Sequence, residues 1–554
     1  MIRLLLAAGL AVAVPLKNES YPLTTVPGTR PWNPIEPLQQ RLAYINSTAI
    51  SVSWNTYTSL LDTEAVVYFG TDTLALDRTA PSRQSTFPTS RTFSHHAILT
   101  GLEAGTEYHY RVAHTNCLGC STIPTYSFTT PRQVGDCAPY AVAIVADMGL
   151  MGPDGLTNST GVGAGGELGD DETTTIQSMV QSLDAYEHIV HVGDLAYADY
   201  FLKASTQGFY GLENVLTNAT AIVDNYERLN EAWYDQITPL TSSKPYMVAV
   251  GNHESNCNNG GVKDKAHNIS YTASICMPGQ TNFTAYAEHW NMPGRPGTSQ
   301  NFWYSYDVGM VHYVVLDFET DFGEGLFGPD EVGGTGKQMS GPRGKMGEQV
   351  EWLRNDLAKV DRKKTPWVLA FGHRPLYVGI AGYGCEPCRQ AFEGILYENN
   401  VDVVLTGHVH MFSRSVPIFN SRFKPDRKLM PDTADPAGYN NPRAPTYITN
   451  GAGGHYDGPD ELDAAIPPNI AHRIGGVYGW SRLTFANATH MRHEFVASRN
   501  SSVLDEFWLV RERGEGTCAC GESGHPNGNG NGHGKGHGKG HGKGKRNVLA
   551  RLDE

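Results

Sequence analysis

The rhythm of apolar and polar positions changes once along the chain. Over residues 30–132, apolar residues come in short alternating runs. These are 49–54, closing on Trp54, then 65–70, 95–99 and 102–112, where a turn leads into Tyr108 and Tyr110 two positions apart. A period of two marks strands with one buried face, and short strands between turns with an early tryptophan predict a β-sandwich. From residue 138 to 510 the runs become continuous, at 140–146, 188–192, 246–250, 311–316, 367–371 and 401–405. Helical patterns occupy 173–186, 224–237, 346–360 and 389–398. Apolar strands alternating with amphipathic helices predict a second, α/β domain whose sheet core is flanked by helices on both faces.

Both ends stand outside this pattern. Residues 1–13 read as a signal peptide: Arg3, an apolar run to Val12, and the small-residue site Ala11-Val12-Ala13. Residues 521–554 pass from Asn-Gly repeats to Gly-His-Gly-Lys repeats. Such a composition cannot build a core, so a disordered tail is expected. The first run is too short to cross a bilayer, and no other span of about 20 apolar residues occurs. A secreted or cell-wall protein with no membrane span is the expectation.

Composition adds to this picture. Eight N-x-S/T sequons, at Asn18, Asn46, Asn158, Asn218, Asn268, Asn282, Asn487 and Asn500, predict N-linked glycans on an exported chain. Cysteines pair closely in sequence as Cys117/Cys120, Cys257/Cys276, Cys385/Cys388 and Cys518/Cys520, leaving Cys137 over. In an oxidising compartment these read as loop staples rather than zinc sites. A net charge of −14 argues against a nucleic-acid partner, which needs a basic face.

The chemistry collects where the apolar runs end. Run 140–146 is followed by Asp147-Met148-Gly149, and 188–192 by Gly193-Asp194-Leu195-Ala196-Tyr197. Run 246–250 leads to Gly251-Asn252-His253-Glu254, 367–371 to Gly372-His373, and 401–405 to Gly407-His408-Val409-His410. Ligands bind outside the carboxyl ends of strands in open α/β sheets. Carboxylate, phenolate, imidazole and amide oxygen suit iron, zinc or manganese. Any one of these residues alone reads as a helix cap, a turn residue or a core histidine. Five sets arriving at one edge of a sheet read as a metal centre.

Two resemblances follow. The Leu-x-x-x-Thr-x-Tyr-x-Tyr-x-Val pattern from Leu102 to Val112 resembles a fibronectin type III domain. The ordered set Asp-x-Gly, Gly-Asp-x-x-Tyr, Gly-Asn-His-Glu, a lone His after a strand and Gly-His-x-His resembles the purple acid phosphatase family of metallophosphoesterases, most nearly its fungal high-molecular-weight branch. That resemblance implies one ferric ion held by Asp147, Asp194, Tyr197 and His410. It implies one divalent ion (zinc, iron or manganese) held by Asp194, Asn252, His373 and His408, with Asp194 bridging. Three anionic ligands and a bridging hydroxide would leave the ion pair a small positive surplus for a phosphate ester.

The implied activity is acid phosphatase action on small phosphate monoesters, by in-line attack of a metal-bound hydroxide, with inositol polyphosphates among the candidate substrates. His253, following a ligand, is expected to contact substrate and protonate the leaving group. Plant relatives carry a histidine pair beyond the His373 position, which this chain lacks; His455 and Tyr377 are the alternative donors. Phosphodiester hydrolysis on the same scaffold is the rival activity. A cell-surface binding protein is the rival outside enzymes, and it predicts missing ligands where none is missing.

Overall fold

The computed structural model describes residues 31, 33–61, 64–114, 124–151, 171–201, 219–255, 263–264, 269–270, 277–296, 300–320, 345, 347–419, 439–454, 458–463, 465–514 and 517. The expected leader, the Gly-His-Lys tail, His455 and six of the cysteines lie outside them.

An antiparallel assembly comes first: β1 (Leu38–Asn46), β2 (Ala49–Thr56), β3 (Ala65–Gly70), β4 (Arg78–Ser85), β5 (Phe93–Thr100), β6 (Glu107–His114) and β7 (Tyr126–Thr129), ordered β1-β2-β5-β4-β3-β6-β7. Ile50, Val52 and Trp54 on β2 and Tyr108 and Tyr110 on β6 are buried, as their alternation requires. Strand β1 does not alternate. Its Gln39, Gln40 and Arg41 are all buried because they face the second part of the chain. Arg41 bonds Asn55 Oδ1 and the His289 carbonyl and lies 4.6 Å from the ring centroid of Tyr234.

The remaining strands are β8 (Tyr140–Val145), β9 (His188–Val192), β10 (Tyr246–Ala249), a small hairpin β11 (Lys263–Asp264) and β12 (Ile269–Ser270), β13 (Tyr304–Val308), β14 (Val311–Val315), β15 (Trp367–Phe371), β16 (Val403–Thr406), β17 (Phe412–Ser415), β18 (Thr446–Asn450), β19 (Ile470–Ile474), β20 (Gly479–Phe485), β21 (His490–Ala497) and β22 (Val503–Val510). They form two large sheets, β10-β9-β8-β20-β21-β22 and β13-β14-β15-β16-β18-β17-β19. The single sheet expected from the apolar runs is therefore two. Val142, Ile144, Tyr313, Leu369 and Val403 share one core between them.

Helices cover the outer faces. On one side α1 (Thr175–Gln181), opened by a Thr174–Gln177 capping box, and α2 (Ala219–Thr241) pack Ile176, Met179, Trp233 and Ile237 into the common core. On the other, α3 (Glu348–Leu357) and the helical stretch 386–398 pack Leu353, Phe392 and Ile395 against Val314, Val368 and Val404. The central strands β8–β10 and β14–β16 are covered on both faces, which is why they read as continuous apolar runs.

Cys385 and Cys388 form a disulfide at the start of the 386–398 stretch. Cys137, left over by the sequence pairing, is itself disulfide-bonded.

The joint between the first assembly and α2 is acidic and buried. Tyr57 donates to Glu231 Oε2 at 2.6 Å, Thr89 to Glu227 Oε1 at 3.0 Å, and Gln39 to Asp235 Oδ1 at 2.8 Å. Burial pushes the Glu231 carboxyl up to about 8 and Asp235 to about 6. On β14, burial works against a charged His312, but Asp307 at 2.7 Å and Asp356 at 2.9 Å outweigh it and raise the ring to about 9. A group whose folded value lies above its unfolded one contributes fully below the unfolded value and is lost as pH rises through the folded value. For His312 that window runs from about 6.5 to about 9, and for Glu231 from 4.5 to about 8. Stability is accordingly expected to fall from pH 5 to pH 9. His312→Gln should cost about 1–3 kcal/mol near pH 6 and converge with the wild type above pH 9. Urea melts across that range check this, and a pH-independent cost would refute the charged His312 bridge.

Candidate metal centre

Each singled-out residue leaves its strand through a tight turn. Asp147 follows β8 with φ 58°, Asp194 and Tyr197 follow β9 with φ 52° and 50°, and His408 follows β16 with φ 70°. Left-handed backbone is costly for side chains of this size and concentrates where function demands it. Asn252 and His253 open a single 3-10 turn after β10, and His373 follows β15 with Gly372 between them. The five strands divide between the two sheets, with β8, β9 and β10 in one and β15 and β16 in the other. The centre therefore lies across the seam between sheets and not along one edge.

Six of the seven predicted ligands, Asp147, Asp194, Tyr197, His373, His408 and His410, come together. The Tyr197 hydroxyl lies 3.0 Å from Asp147 Oδ1, 3.1 Å from Asp194 Oδ2 and 2.9 Å from His410 Nε2. On the other side, His373 Nε2 lies 2.9 Å from the same Asp194 Oδ2. One donor atom each from Asp194, His373 and His408 falls within 4.8 Å of the others. The Asn252 Oδ1, on the β10 loop beside them, is buried with no hydrogen-bond partner among the described residues. Donors bound at about 2.0–2.2 Å to one ion sit about 3 Å from each other, so these separations fit two cations that share Asp194. His408 and His410 part company: turns at Val409 and Met411, each bonding the carbonyl two residues back, send one ring to each side.

The surroundings prepare the donors. His373 Nδ1 donates to the Val192 carbonyl at 2.8 Å, which leaves the Nε2 lone pair for a cation. Burial disfavours a charged His373, yet Asp194 and Asp147 outweigh it and hold a proton there up to about 10; a metal ion answers the same field. Burial works against ionising either aspartate. At Asp194 the imidazoles of His373 and His253 overcome it and pull the carboxyl well below its usual range, whereas Asp147 stays raised. Burial, with Asp147 and Asp194, pushes the Tyr197 phenol far up, so only a strongly polarising cation makes a phenolate there. Burial and then Arg374 keep His408 neutral.

Glu254 is the structural keystone that the motif alone did not explain. Its carboxylate accepts the backbone N–H groups of Asp194, Leu195 and Gly251 at 3.0, 2.7 and 2.7 Å, tying the β9 loop to the β10 loop. Between those loops Gly193, at φ 82°, leaves no room for a Cβ, which would stand 2.6 Å from His373 Nδ1.

His253 faces the centre, its Nε2 3.9 Å from Asp194 Oδ2. Its Nδ1 lies 2.7 Å from Asp199 Oδ2, and its ring sits 4.2 Å from that of Tyr197. Asp199 is fully buried, and burial raises it to about 6 despite His253. Sequence reading missed Asp199; its one signal was a carboxylate two residues beyond Tyr197. Tyr377, an alternative proton donor, instead bonds Glu393.

Comparison with known proteins agrees with this geometry. The family described as "Purple acid Phosphatase, N-terminal domain" matches residues 37–130, "Calcineurin-like phosphoesterase" residues 140–412, and "Iron/zinc purple acid phosphatase-like protein C" residues 444–506. Fold and site together thus define a metallophosphoesterase. Acid phosphatase A of Cryphonectria parasitica is 34% identical over 91% of this chain and 96% of its own length. An acid phosphatase of Aspergillus ficuum is 30% identical over 76% of each. The fold also matches a purple acid phosphatase from yellow lupin seeds, with TM-score 0.63 at 22% identity over 88% of this chain and 76% of that one. The chain belongs to the purple acid phosphatase family, and it is an acid phosphatase with the dimetal centre of that family. No described helix is long and apolar enough to cross a membrane.

Gly251 supplies a steric test. Its φ of −122° is open to any residue, but a Cβ there would land on the Asp194 carboxylate and backbone. Gly251→Ala is expected to lower the metal content per chain with secondary structure retained. Metal analysis beside circular dichroism decides it, and full metal occupancy in the variant would refute the crowding argument.

Proposed function

We propose that Asp147, Asp194, Tyr197 and His410 hold a ferric ion and that Asp194, Asn252, His373 and His408 hold a divalent one, zinc, iron or manganese, one of each per chain. The observation that carries this reading is the single oxygen Asp194 Oδ2, which faces Tyr197 on one side and His373 on the other. Carboxylate and phenolate oxygen favour a hard trivalent ion on the Tyr197 side, and two imidazoles with an amide oxygen favour a divalent ion on the other. When bound, such a pair supplies Lewis acidity to the phosphoryl group and acidifies the attacking water.

His253 protonates the leaving ester oxygen. Asp199 fixes the ring through Nδ1, so Nε2 points to the centre, where its proton can pass to the ester oxygen. Asp199 acts through His253 as a positioning residue. The catalytic part is taken as residues 138–510 and the fibronectin-like support as 30–132. Asn46, Asn282, Asn487 and Asn500, the described sequon asparagines, are all exposed, which supports a glycosylated, secreted or cell-wall enzyme acting on small phosphate monoesters. Inositol polyphosphates are within that class.

Two outcomes test the reading. A phenolate on ferric iron absorbs in the visible, so the purified protein should be purple to pink, and Tyr197→Phe should lose the band while keeping iron. An iron-containing wild type without colour would sink the Tyr197 assignment. For His253→Ala, both metals should stay, and kcat should fall by about 10²–10⁴-fold for alkyl monoesters but much less for nitrophenyl phosphate, whose leaving group needs no proton. Asp199→Asn should give a milder loss with the same leaving-group bias. Equal losses for both ester classes would remove His253 as the proton donor.

A further inference from the structure

Arg374 directly follows His373 and is 4% exposed. Its Nε lies 3.0 and 2.9 Å from the two carboxylate oxygens of Glu319. Glu319 is itself buried, and its own N–H bonds Asp317 Oδ1 at 2.8 Å. This clamp fixes the plane of the guanidinium and turns its Nη1 end to the centre, 3.0 Å from His408 Nε2. Beside the pair opens a cavity of about 380 Å³ lined by Arg374, His408, Tyr383, Gly384, Cys385 and Glu386. A buried, carboxylate-anchored arginine at the mouth of such a cavity holds a permanent charge and a planar donor fork that matches phosphoryl oxygens.

We propose that Arg374 is a substrate-binding residue, its guanidinium contacting a phosphoryl oxygen of the ester on the His408 side, with the cavity beyond it receiving the ester's organic group. This inference rests on the dimetal phosphatase reading above. It also answers a gap in the sequence, because no histidine pair follows His373 here. The Nη1 contact to His408 places the donor next to where the phosphoryl group must sit. Glu319 is a positioning residue, since it touches the guanidinium and not the site itself. Glu319 also balances the arginine's charge, so the clamp can be buried without an unpaired ion.

The experiment uses metal-loaded full-length protein with Arg374→Lys and Arg374→Gln. Three quantities are read: metals per chain, the dissociation constant for inorganic phosphate by calorimetry, and kcat and KM for an alkyl monoester and for nitrophenyl phosphate. Both variants should keep two metals. Arg374→Gln should weaken phosphate binding about 10- to 100-fold and lower kcat/KM for both esters alike, because it grips the phosphoryl group and supplies no proton. Arg374→Lys keeps the charge without the fork and should fall between. Wild-type phosphate affinity in both variants overturns the inference, as does loss of a metal in both, which would reduce Arg374 to a support for His408. A wild-type holoenzyme without phosphate affinity would instead overturn the dimetal phosphatase reading itself.

Discussion

The cleft depends on where the Asp194 carboxylate is held. Its Oδ1 accepts the His253 N–H at 2.9 Å, and its Oδ2 faces both Tyr197 and His373. Two buried aspartates so close to one another are untenable without positive charge between them. The surrounding residues make that charge obligatory rather than optional: Glu254 pins the Asp194 backbone, Gly251 admits the carboxylate, and His373 is turned by the Val192 carbonyl to present its lone pair. The fold thus builds an electrostatic demand first, and cations satisfy it.

The geometry of that demand comes from short-range strain supported by long-range packing. Asp147, Asp194, Tyr197 and His408 adopt left-handed backbone conformations, which an isolated peptide would avoid. They persist because each follows a strand buried on both faces, so the chain has little freedom to relax. Arg374 and Glu319 repeat this logic on the substrate side, where a buried ion pair fixes orientation more than it adds stability.

Much of this was legible in the sequence. The central strands stood out because burial on both faces leaves no polar positions, and the ligand sets stood out because each hard donor follows such a run beside a glycine. Strands β1 and β4 were not legible. Gln39, Gln40 and Arg41 are polar yet buried against another part of the molecule, and periodicity carries no information about a distant partner surface. The second sheet was hidden for a related reason. Strands β17 to β22 follow the last motif, and it is β20 beside β8 and β18 beside β16 that complete two sheets. Asp199 looked like an ordinary loop carboxylate, and the Glu319–Arg374 clamp joins positions 55 residues apart, with no local pattern to announce it.

The placement of the centre across the seam has a practical side. Its donors come from loops of two sheets that otherwise meet through apolar packing, so a bound cation pair acts as a rivet between them. Ligands that bind only the folded chain add to its stability by mass action. The two halves of the catalytic core are therefore most firmly joined when both metal ions are in supply. Service life and metal supply thereby become one quantity, and a chelating environment ages the enzyme as surely as heat does.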